Sequence, residues 1–433
     1  MLDNSLSGKR LLLIGGIGPT ADLIELARRN GVFIGVADYN KGTKIKQMAD
    51  ASYEMDALDV DALAELCRKE HYDGVISNFN DMLSPYTARV AERIGAYAPY
   101  TVEQLRMSTD KKYFKETCVK YGIPVPKEYV ADEENNIKEC PINYPVIVKP
   151  VDGSGSKGIT VCETEKDMTE GLEKARKASR TGKVIVEEYI PYDEINVTYV
   201  AQDGDIQLAA IHDRYFNSSQ EGVVRVPDMY IYPSRYTGMY YEKYNEMVIQ
   251  MLKGIGIRNG SLFLQAVVKD SEIFFYEAGM RLNGCKTYHI LEMENDYNTF
   301  EHLMNYALTG SMGRYGRLDA RFKRWYATWN VVGIPGMVCQ EFVGRKAVET
   351  YPWLIKVCQQ YAEGEKIPES AKGTLIQLVA RIHVYGDTKE QLLERIERLQ
   401  SMYQVKDPEG KDVLMKPHDI NDLRERINYC LCC

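Results

Sequence analysis

Short apolar runs alternate with segments of helical spacing over the first hundred residues, and this alternation constrains the fold more than any other feature. The apolar runs cover residues 11–14, 32–37 and 74–77, and the helical segments cover 21–30 and 61–70. Strands that alternate with helices in this way build a parallel, doubly wound sheet. We therefore expect an open, Rossmann-like parallel-sheet domain over residues 1–105.

The first strand runs into a glycine-rich turn, Gly16-Ile17-Gly18-Pro19-Thr20-Ala21, which matches the loose dinucleotide-binding pattern. Asp38 lies at a suitable distance for a ribose contact. Any tight strand-to-helix turn in such a fold favours glycine, however. A structural or substrate-binding role for this turn therefore outweighs a nicotinamide site.

The pattern becomes antiparallel in the middle of the chain. Paired strand-like runs cover residues 145–150 with 159–162, 195–201 with 207–212, and 262–268 with 272–277. Helical segments cover 109–121, with Ser108 or Thr109 as the N-cap candidate, and 166–178. These features predict an α+β domain over residues 106–310. Beyond it, strand-like pieces at 336–339 and 375–384 precede a helix at 389–402, which predicts a small carboxy-terminal α/β domain over 311–433.

Composition excludes several classes of protein. The net charge of −8 gives no support for a nucleic-acid partner or an acidic membrane surface. No apolar run is long enough for a signal-peptide core or a membrane span, so we expect a cytoplasmic protein. The ten cysteines are scattered, many in apolar patterns, which favours reduced thiols. A soft-metal site in the tail Cys430-Leu431-Cys432-Cys433 is the weaker interpretation, because no second ligand cluster accompanies it.

The loop between the first antiparallel pair of strands is suited to phosphate. Its backbone N–H groups and its freedom to adopt positive φ come from a short set of residues: Gly153, Ser154, Gly155, Ser156 and Gly158. It is not a Walker A loop, because no helix with Gly-Lys-Ser/Thr follows it. A plain flexible hairpin explains the loop equally well. Lys149 at the preceding strand end, and Lys111 or Lys112 before it, are candidates to reach a phosphate.

Several glutamates lie in or beside apolar strands. The stretch Val186-Glu187-Glu188-Tyr189-Ile190 offers backbone groups and the Glu187 carboxylate to an adenine, and Glu194 suits ribose hydroxyls. Glu277 follows the aromatic run Phe274-Phe275-Tyr276, where an unpaired acid is costly to bury. Mg²⁺, with Gln265 as a second oxygen ligand, is one possible partner for Glu277. A buried Glu277–Arg281 pair is the other.

In their order and spacing these features resemble the ATP-grasp superfamily and, within it, the ATP-binding half of the carbamoyl-phosphate synthetase large subunit. The resemblance covers residues 109–310. Its motifs are Asp110-Lys111, the run 145–150 ending in Lys149-Pro150, the glycine loop, 186–190, Glu194, Gln265, and Glu277 with Arg281.

The resemblance implies a role for each matching residue. Lys111 and Lys149 would contact phosphates. Adenine would be held by Glu187 and by the backbone through Glu188, Tyr189 and Ile190. Glu194 would bind ribose, and Gln265 and Glu277 would bind Mg²⁺ (or Mn²⁺). Arg281 would steady an acyl phosphate, Arg214 would lie near the γ-phosphate, and residues 125–195 would form a lid over ATP.

One position departs from the family pattern Glu-x-Asn-x-Arg, because Gly279 stands where the asparagine metal ligand belongs. Either the second metal ion has fewer protein ligands, or Asn283 or a water molecule takes the place of the asparagine.

The resemblance implies an ATP-dependent ligase that joins a carboxylate to an amine through an acyl phosphate. Its partners would be small molecules, with a homodimer as a further possibility. Candidate substrate contacts are the 16–20 loop and Asn78, Asn80, Asp81, Asn283 and Thr287, although a plain turn explains 78–81 equally well. Two alternatives remain: carbamoyl- or carboxy-phosphate chemistry with bicarbonate, and a non-catalytic nucleotide-binding regulator, which Gly279 alone supports.

Overall fold

The computed structural model describes residues 6–129, 141–152, 157–190, 193–216, 226–314 and 316–428. Its amino-terminal region is a four-stranded parallel sheet of order β3-β2-β1-β4. The strands are β1 (Arg10–Ile14), β2 (Phe33–Ala37), β3 (Ala51–Tyr53) and β4 (Gly74–Ile76), and the helices are α1 (Ala21–Arg29), α2 (Lys44–Met48), α3 (Val60–Lys69) and α4 (Ser84–Ile94). The predicted doubly wound sheet is confirmed.

A second four-stranded sheet, here the small sheet, has the order β5-β8-β6-β7 and lies within the predicted lid. This region contains α5 (Arg106–Thr109), α6 (Lys111–Lys120), β5 (Glu128–Tyr129), β6 (Val146–Pro150), β7 (Thr160–Cys162), α7 (Glu165–Ala178) and β8 (Val184–Glu188). Strands β6 and β7 form the predicted antiparallel hairpin. A capping box between Thr164 and Asp167 begins α7, so the helix that packs on this sheet starts at a defined residue.

The N-cap predicted at Ser108 or Thr109 is wrong. Those residues end the separate short helix α5, and Asp110 caps α6. The Asp110 backbone is extended, and its carboxylate accepts hydrogen bonds from the backbone N–H groups of Lys112 and Tyr113, both at 3.1 Å. Because a carboxylate also suits the positive end of the helix dipole, Asp110 fixes the start of the helix that carries Lys111.

The largest sheet has eight strands and crosses the predicted boundary at residue 310. Its order is β13-β12-β9-β10-β11-β14-β19-β17. Its first half consists of β9 (Asp193–Gln202), β10 (Asp205–Tyr215), β11 (Met229–Tyr232), β12 (Gly260–Lys269) and β13 (Glu272–Gly279), with α8 (Thr237–Lys243), α9 (Asn245–Gly254), α10 (Tyr288–Asn295) and α11 (Thr299–Thr309) between or after the strands. Main-chain hydrogen bonds from β11 to β14 join this half to the carboxy-terminal region.

The carboxy-terminal region supplies the other three strands. It contains β14 (Trp325–Val332), β15 (Val338–Cys339), β16 (Glu341–Val343), α12 (Arg345–Val348), β17 (Leu354–Gln359), β18 (Glu365–Lys366), β19 (Leu378–Gly386), α13 (Lys389–Met402), β20 (Gln404–Lys406) and α14 (Ile420–Asn428). The strand predicted from residue 375 begins at Leu378, because Leu375–Gln377 forms a 3₁₀ turn. Leu375 and Ile376 of this turn line the cavity described below.

Helix α11 joins the amino-terminal sheet to the rest of the molecule. Its residues Phe300, Leu303 and Met304 share one apolar core with residues of β1 and β2. At Gly74 on β4, an added Cβ would lie 2.3 Å from the carbonyl oxygen of Ala307, so only glycine permits this approach. The shared core fixes the amino-terminal loops against the large sheet.

No helix in the described ranges is both long and apolar enough to span a membrane. The described cysteines Cys67, Cys118, Cys162, Cys285, Cys339 and Cys358 are free thiols. The cysteine-rich tail lies outside the described residues.

Candidate functional site

One cavity of about 1170 Å³, here the central cavity, lies where the amino-terminal sheet, the small sheet and the large sheet meet. Most of the residues predicted for the site line it: Asp81, Lys111, Lys149, Glu187, Glu188, Tyr189, Ile190, Glu194, Arg214, Gln265, Glu277, Arg281 and Asn283. Residues that lie up to two hundred positions apart thus share one wall.

Of the predicted glycine loop, Gly153, Ser154, Gly155 and Ser156 lie outside the described residues. Lys157, which follows them, lines the central cavity. Gly158 has a φ of +76°, and an added Cβ would lie 2.5 Å from the Cβ of Ala178. This end of the loop therefore requires glycine for both conformation and space.

Lys149 is held by a buried carboxylate. Its Nζ lies 2.5 Å from Glu187 Oε2, and the Nζ of Lys115 lies 2.6 Å from Glu187 Oε1. Burial acts to raise the pKa of Glu187, but the two ammonium groups hold that pKa below its ordinary value. Both carboxylate oxygens therefore serve as counter-ions to lysines, and contact between this side chain and an adenine amine stays a prediction.

Lys115 was not among the predicted site residues. A signal was available, because Lys115 lies four residues after Lys111 and therefore on the same face of α6. Its ammonium also contacts Glu128 Oε2 at 3.0 Å. Lys115 thus ties the helix to both β5 and β8 of the small sheet.

Glu194 and Arg214 form one unit. Strands β9 and β10 place the two residues opposite each other, and Arg214 Nη1 donates to Glu194 Oε2 at 2.6 Å. Tyr276 Oη donates to the same oxygen at 3.2 Å. The residue predicted for ribose and the residue predicted near the γ-phosphate are therefore in direct contact, and Tyr276 is an addition to the predicted set.

Glu277 and Gln265 face each other across the antiparallel pair of β12 and β13. Both are hard-oxygen donors that line the central cavity, and the side chain of Glu277 is 37% exposed. Its nearest cation is the Lys111 ammonium, 3.8 Å from Oε1, which is beyond hydrogen-bond distance. Mg²⁺ is commonly bound by one or two protein oxygens together with waters and phosphate oxygens, so this pair fits that ion.

Arg281 pairs with Asp81 rather than with Glu277. Its Nε and Nη2 lie 2.8 and 2.6 Å from Asp81 Oδ2, and Nη1 donates to the carbonyl oxygen of Leu282 at 3.0 Å. Burial raises the pKa of Asp81 and nearby Glu277 adds to the rise, while Arg281 opposes it. The alternative of a buried Glu277–Arg281 pair is therefore wrong, because Asp81 of the amino-terminal region takes that place.

The presence of glycine at position 279, where the family pattern has asparagine, has a steric explanation. It lies opposite Phe263 on β12, and an added Cβ would lie 2.2 Å from two atoms of the Phe263 ring. The phenyl ring thus occupies the space that an asparagine ligand would need. The Asn283 amide is hydrogen-bonded inside the fold, since its Oδ1 accepts from the Thr287 hydroxyl at 3.1 Å and its Nδ2 donates to Thr198 at 3.3 Å, and a role for Asn283 as the replacement ligand stays a prediction.

The predicted substrate contacts divide into two groups. Asp81 and Asn283 lie in the wall of the central cavity, whereas Asn78, Asn80 and Thr287 are not among its lining residues. Asn80 accepts from the backbone of Met82 at 3.0 Å and so organises its own turn, whereas Asn78 accepts from the backbone of Leu282 at 3.4 Å and so joins the end of β4 to the segment after β13. The Thr287 hydroxyl lies 3.0 Å from that of Tyr232 inside the fold.

The far wall of the central cavity comes from the carboxy-terminal region, for which the sequence offered no motif. It contains Gln360, Tyr361, Gly373, Thr374, Leu375, Ile376 and Arg381. The turn at 16–19 and the start of α2 at 43–45, both of the amino-terminal region, lie in the same wall. Of the predicted 16–20 loop, four of the five residues thus reach the cavity.

Asp22, His289 and Cys358 place one potential metal-ligand atom each within 4.8 Å of one another. The Lys286 ammonium already lies 2.9 Å from Asp22 Oδ2, and Tyr288 and His289 contact the same oxygen. Burial acts to raise the pKa of Asp22, but His289 and Lys286 bring that pKa far below its ordinary value. The lysine supplies the positive charge that a metal ion would bring, so we interpret the cluster as a structural link between α1 and α10.

Comparisons with known proteins agree with this arrangement. Residues 142–289 match the family model described as the ATP-grasp domain. A formate-dependent phosphoribosylglycinamide formyltransferase of Maridesulfovibrio salexigens is 25% identical over 210 residues, covering 47% of this chain and 53% of the relative. A carbamoyl phosphate synthase large chain of Methanosarcina barkeri is 26% identical over 208 residues, covering 42% of this chain and 19% of the relative. The chain thus spans about half, or less, of these relatives.

The solved structure of an L-amino acid ligase from Bacillus licheniformis superposes with a TM-score of 0.73 at 16% identity, covering 92% of this chain and 98% of the other. At that identity the likeness shows the fold, which includes the amino-terminal sheet and the carboxy-terminal strands. Residues 142–289 thus match an ATP-grasp domain, and the relatives of this chain include a formate-dependent formyltransferase and a carbamoyl phosphate synthase large chain.

Proposed function

We propose that this protein is an ATP-dependent ligase that joins a small carboxylate to an amine through an acyl phosphate and releases ADP and phosphate. One observation carries the proposal. The central cavity, of about 1170 Å³, brings together most of the predicted nucleotide residues, an acid–amide pair suited to Mg²⁺ and the Arg281 guanidinium, and it extends to the carboxy-terminal residues around Arg381.

The nucleotide is bound between the small sheet and the large sheet. Lys149 and Lys111 reach its phosphates, the backbone of 188–190 holds the adenine, and Glu194 takes a ribose hydroxyl. The support for Lys149 is its environment: it is buried beside the central cavity and fixed by Glu187, so its ammonium needs little reorganisation before it meets a phosphate.

The first step transfers the γ-phosphoryl group. A carboxylate oxygen of the acid attacks the γ-phosphorus, the bond from that phosphorus to the β–γ bridging oxygen breaks, and ADP leaves. Mg²⁺ bound to Gln265 and Glu277 would neutralise charge on the phosphate oxygens. Lys111, 3.8 Å from Glu277, and Arg281, held by Asp81, stabilise the charge that moves onto the acyl phosphate.

The second step forms the amide. The amine nitrogen attacks the acyl carbon, the bond from that carbon to the phosphate oxygen breaks, and phosphate leaves with the electron pair while the nitrogen loses a proton. No side chain forms a covalent intermediate in this scheme. Positioning and electrostatic stabilisation supply the rate, and closure of the lid keeps water from the acyl phosphate.

The test is ADP release by the whole chain with MgATP and a matrix of small carboxylates and amines. We expect release that requires one acid and one amine together. Bicarbonate, alone and with ammonia, forms a separate arm: release there and nowhere else would favour carboxy-phosphate chemistry. ATP binding without ADP release in every arm would favour the non-catalytic alternative and overturn the proposal.

A further inference from the structure

Arg381 lies on β19 in the wall of the central cavity, and only 4% of the residue is exposed. Its Nε is buried and has no hydrogen-bond partner. Within the described ranges, no carboxylate lies within ion-pair distance of its guanidinium, and no acceptor lies within hydrogen-bond distance. A second cavity of about 580 Å³ adjoins the first, and Arg381 lies in the walls of both.

The other buried or half-buried cations of these two cavities differ from Arg381 in one respect, because each of them has a carboxylate neighbour. The pairs are Lys111 with Glu277, Lys149 with Glu187, Arg214 with Glu194, Arg281 with Asp81, Lys286 with Asp22, Arg345 with Glu349, and Lys356 with Glu25. Arg381 is therefore the exception among the described residues.

An unpaired buried guanidinium is costly, since it loses its hydration and gains no counter-ion. The cost is offset when a ligand brings an anion to the site. A guanidinium binds a carboxylate through two parallel N–H···O bonds, which fixes the orientation of the ligand as well as its charge. One unpaired cation matches a carboxylate monoanion, whereas a phosphate dianion would call for a second one.

The cavity wall also contains apolar side chains that are unusually exposed. Ile17 is 37% exposed, Leu375 45% and Ile376 54%, and all three line the central cavity. Leu375 Cδ1 would lie 3.2 Å from a Cβ added at Gly284, so this apolar surface reaches the segment that follows Arg281. Large apolar side chains exposed inside a cavity are typical of a ligand contact.

We propose that the amine substrate is an α-amino acid with an apolar side chain, whose carboxylate binds Arg381 and whose side chain packs against Ile17, Leu375 and Ile376. This inference rests on the proposed function and names its substrate class. The amino acid keeps its carboxylate, its nitrogen forms the new bond to the acyl carbon, and phosphate is the leaving group.

The test compares wild type with Arg381→Met, Arg381→Lys and Arg324→Ala in the presence of MgADP. Arg324 is an exposed arginine that pairs with Asp387, so it serves as the matched control. Thermal shift is measured with each of the twenty L-amino acids, with the α-amide of every amino acid that stabilises wild type, and with inorganic phosphate. Those amino acids then replace the amine in the ADP-release assay.

Apolar amino acids are expected to stabilise wild type and Arg324→Ala, while their amides do not. Arg381→Met should lose both the stabilisation and the preference for acid over amide. The KM of Arg381→Met for the amino acid should rise by about tenfold to a hundredfold, because the variant loses a charge-assisted hydrogen bond to the carboxylate. Its KM for ATP should not change. The KM of Arg381→Lys for the amino acid should lie between those of wild type and Arg381→Met, because lysine keeps the positive charge but cannot form the two parallel N–H···O bonds of a guanidinium.

Arg381→Met without ligand should melt at the wild-type temperature or above it, because it removes an unpaired buried charge. If it fails to fold, Arg381→Lys still reports the preference for acid over amide. The proposal is overturned if no amino acid stabilises wild type, if amides bind as well as acids, or if inorganic phosphate alone depends on Arg381. Any of these outcomes alongside intact ADP release leaves the ligase standing, whereas absence of ADP release in every arm overturns the ligase.

Discussion

The two ends of the central cavity handle charge in opposite ways. The end where we propose that the nucleotide binds, here the nucleotide end, is defined by Lys149, Glu187, Glu194 and Glu277, and its charged groups are paired with one another inside the protein. The end where we propose that the amine binds, here the acceptor end, is defined by Ile17, the turn Leu375–Gln377 and Arg381, and there a buried cation has no described partner and apolar side chains are exposed.

The difference indicates where the protein is organised before ligands arrive. Paired charges hold their geometry without a ligand, so the nucleotide end needs little reorganisation before the proposed ligand binds. The acceptor end carries an electrostatic cost that a ligand relieves, so the affinity there depends on the charge of the ligand. Mutations should therefore destabilise the fold at the first end and alter selectivity at the second.

The largest effect is expected from Glu187→Ala. It leaves the buried Lys149 ammonium without its counter-ion and removes one of the two carboxylates that contact Lys115. Breaking a buried pair in this way costs about 3–5 kcal/mol of unfolding free energy. Urea denaturation followed by circular dichroism measures the loss.

Glu188→Ala is the matched control for this prediction. Glu188 is the next residue, but it is 35% exposed in its side chain and pairs with Lys269 at 3.1 Å near the surface. Its removal should cost about 0–1 kcal/mol. Equal losses for the two variants would contradict the view that the nucleotide end is held by buried pairs.

The next effect concerns catalysis. Glu277→Gln should lower the rate of ADP release by roughly 10²–10³-fold, the scale for removing one group that stabilises transition-state charge. The melting temperature should change little, because the side chain is 37% exposed. Glu272→Gln, on the same strand but exposed and outside the cavity wall, is the control and should retain full activity. A fully active Glu277→Gln protein would remove the metal-binding pair from the mechanism.

Several residues that line the nucleotide end could be singled out from the sequence because their signals are local. A strand that ends at Lys149-Pro150 and an acid that follows an aromatic strand can both be recognised within a few residues. The partners of these groups are not local. Arg281 and Asp81 are two hundred positions apart, and only the packing of the amino-terminal sheet against the large sheet brings them together.

The acceptor end could not be predicted for the same reason. Strand β19 is an ordinary apolar strand that contains one arginine, and its contacts with β14 and β17 decide which side chains face the cavity. The sequence also showed that Gly279 is unusual without showing why. The reason is Phe263, which the strand register places opposite it.

A smaller effect is expected when Gly279 is replaced. In Gly279→Ala the new Cβ would lie 2.2 Å from the Phe263 ring, and overpacking of this kind costs about 1–3 kcal/mol. The same substitution in a Phe263→Ala background should cost far less. Gly238→Ala, where nothing lies within 4 Å of the added Cβ, is the control and should not destabilise. A double-mutant cycle in urea checks the coupling, and a cost that persists without the ring would contradict the steric explanation.

The smallest effect is a pH dependence in the carboxy-terminal region, away from both ends of the cavity. His418 is buried between Asp228, at 3.0 Å, and Asp422, at 2.7 Å. Burial acts to lower the pKa of His418, but the two carboxylates raise it above its ordinary value. A raised pKa in the folded state stabilises the protein below the unfolded pKa of about 6.5, and this stabilisation is lost as the pH rises through the folded pKa. The difference in unfolding free energy between wild type and His418→Gln should therefore be largest in mildly acidic buffer and shrink on the alkaline side.

Glu187 contributes to the pH dependence in the opposite sense, since its lowered pKa stabilises the fold above its unfolded pKa of about 4.3. A wild-type minus His418→Gln difference that stays flat across neutral pH would show that His418 is held by packing rather than by its charge.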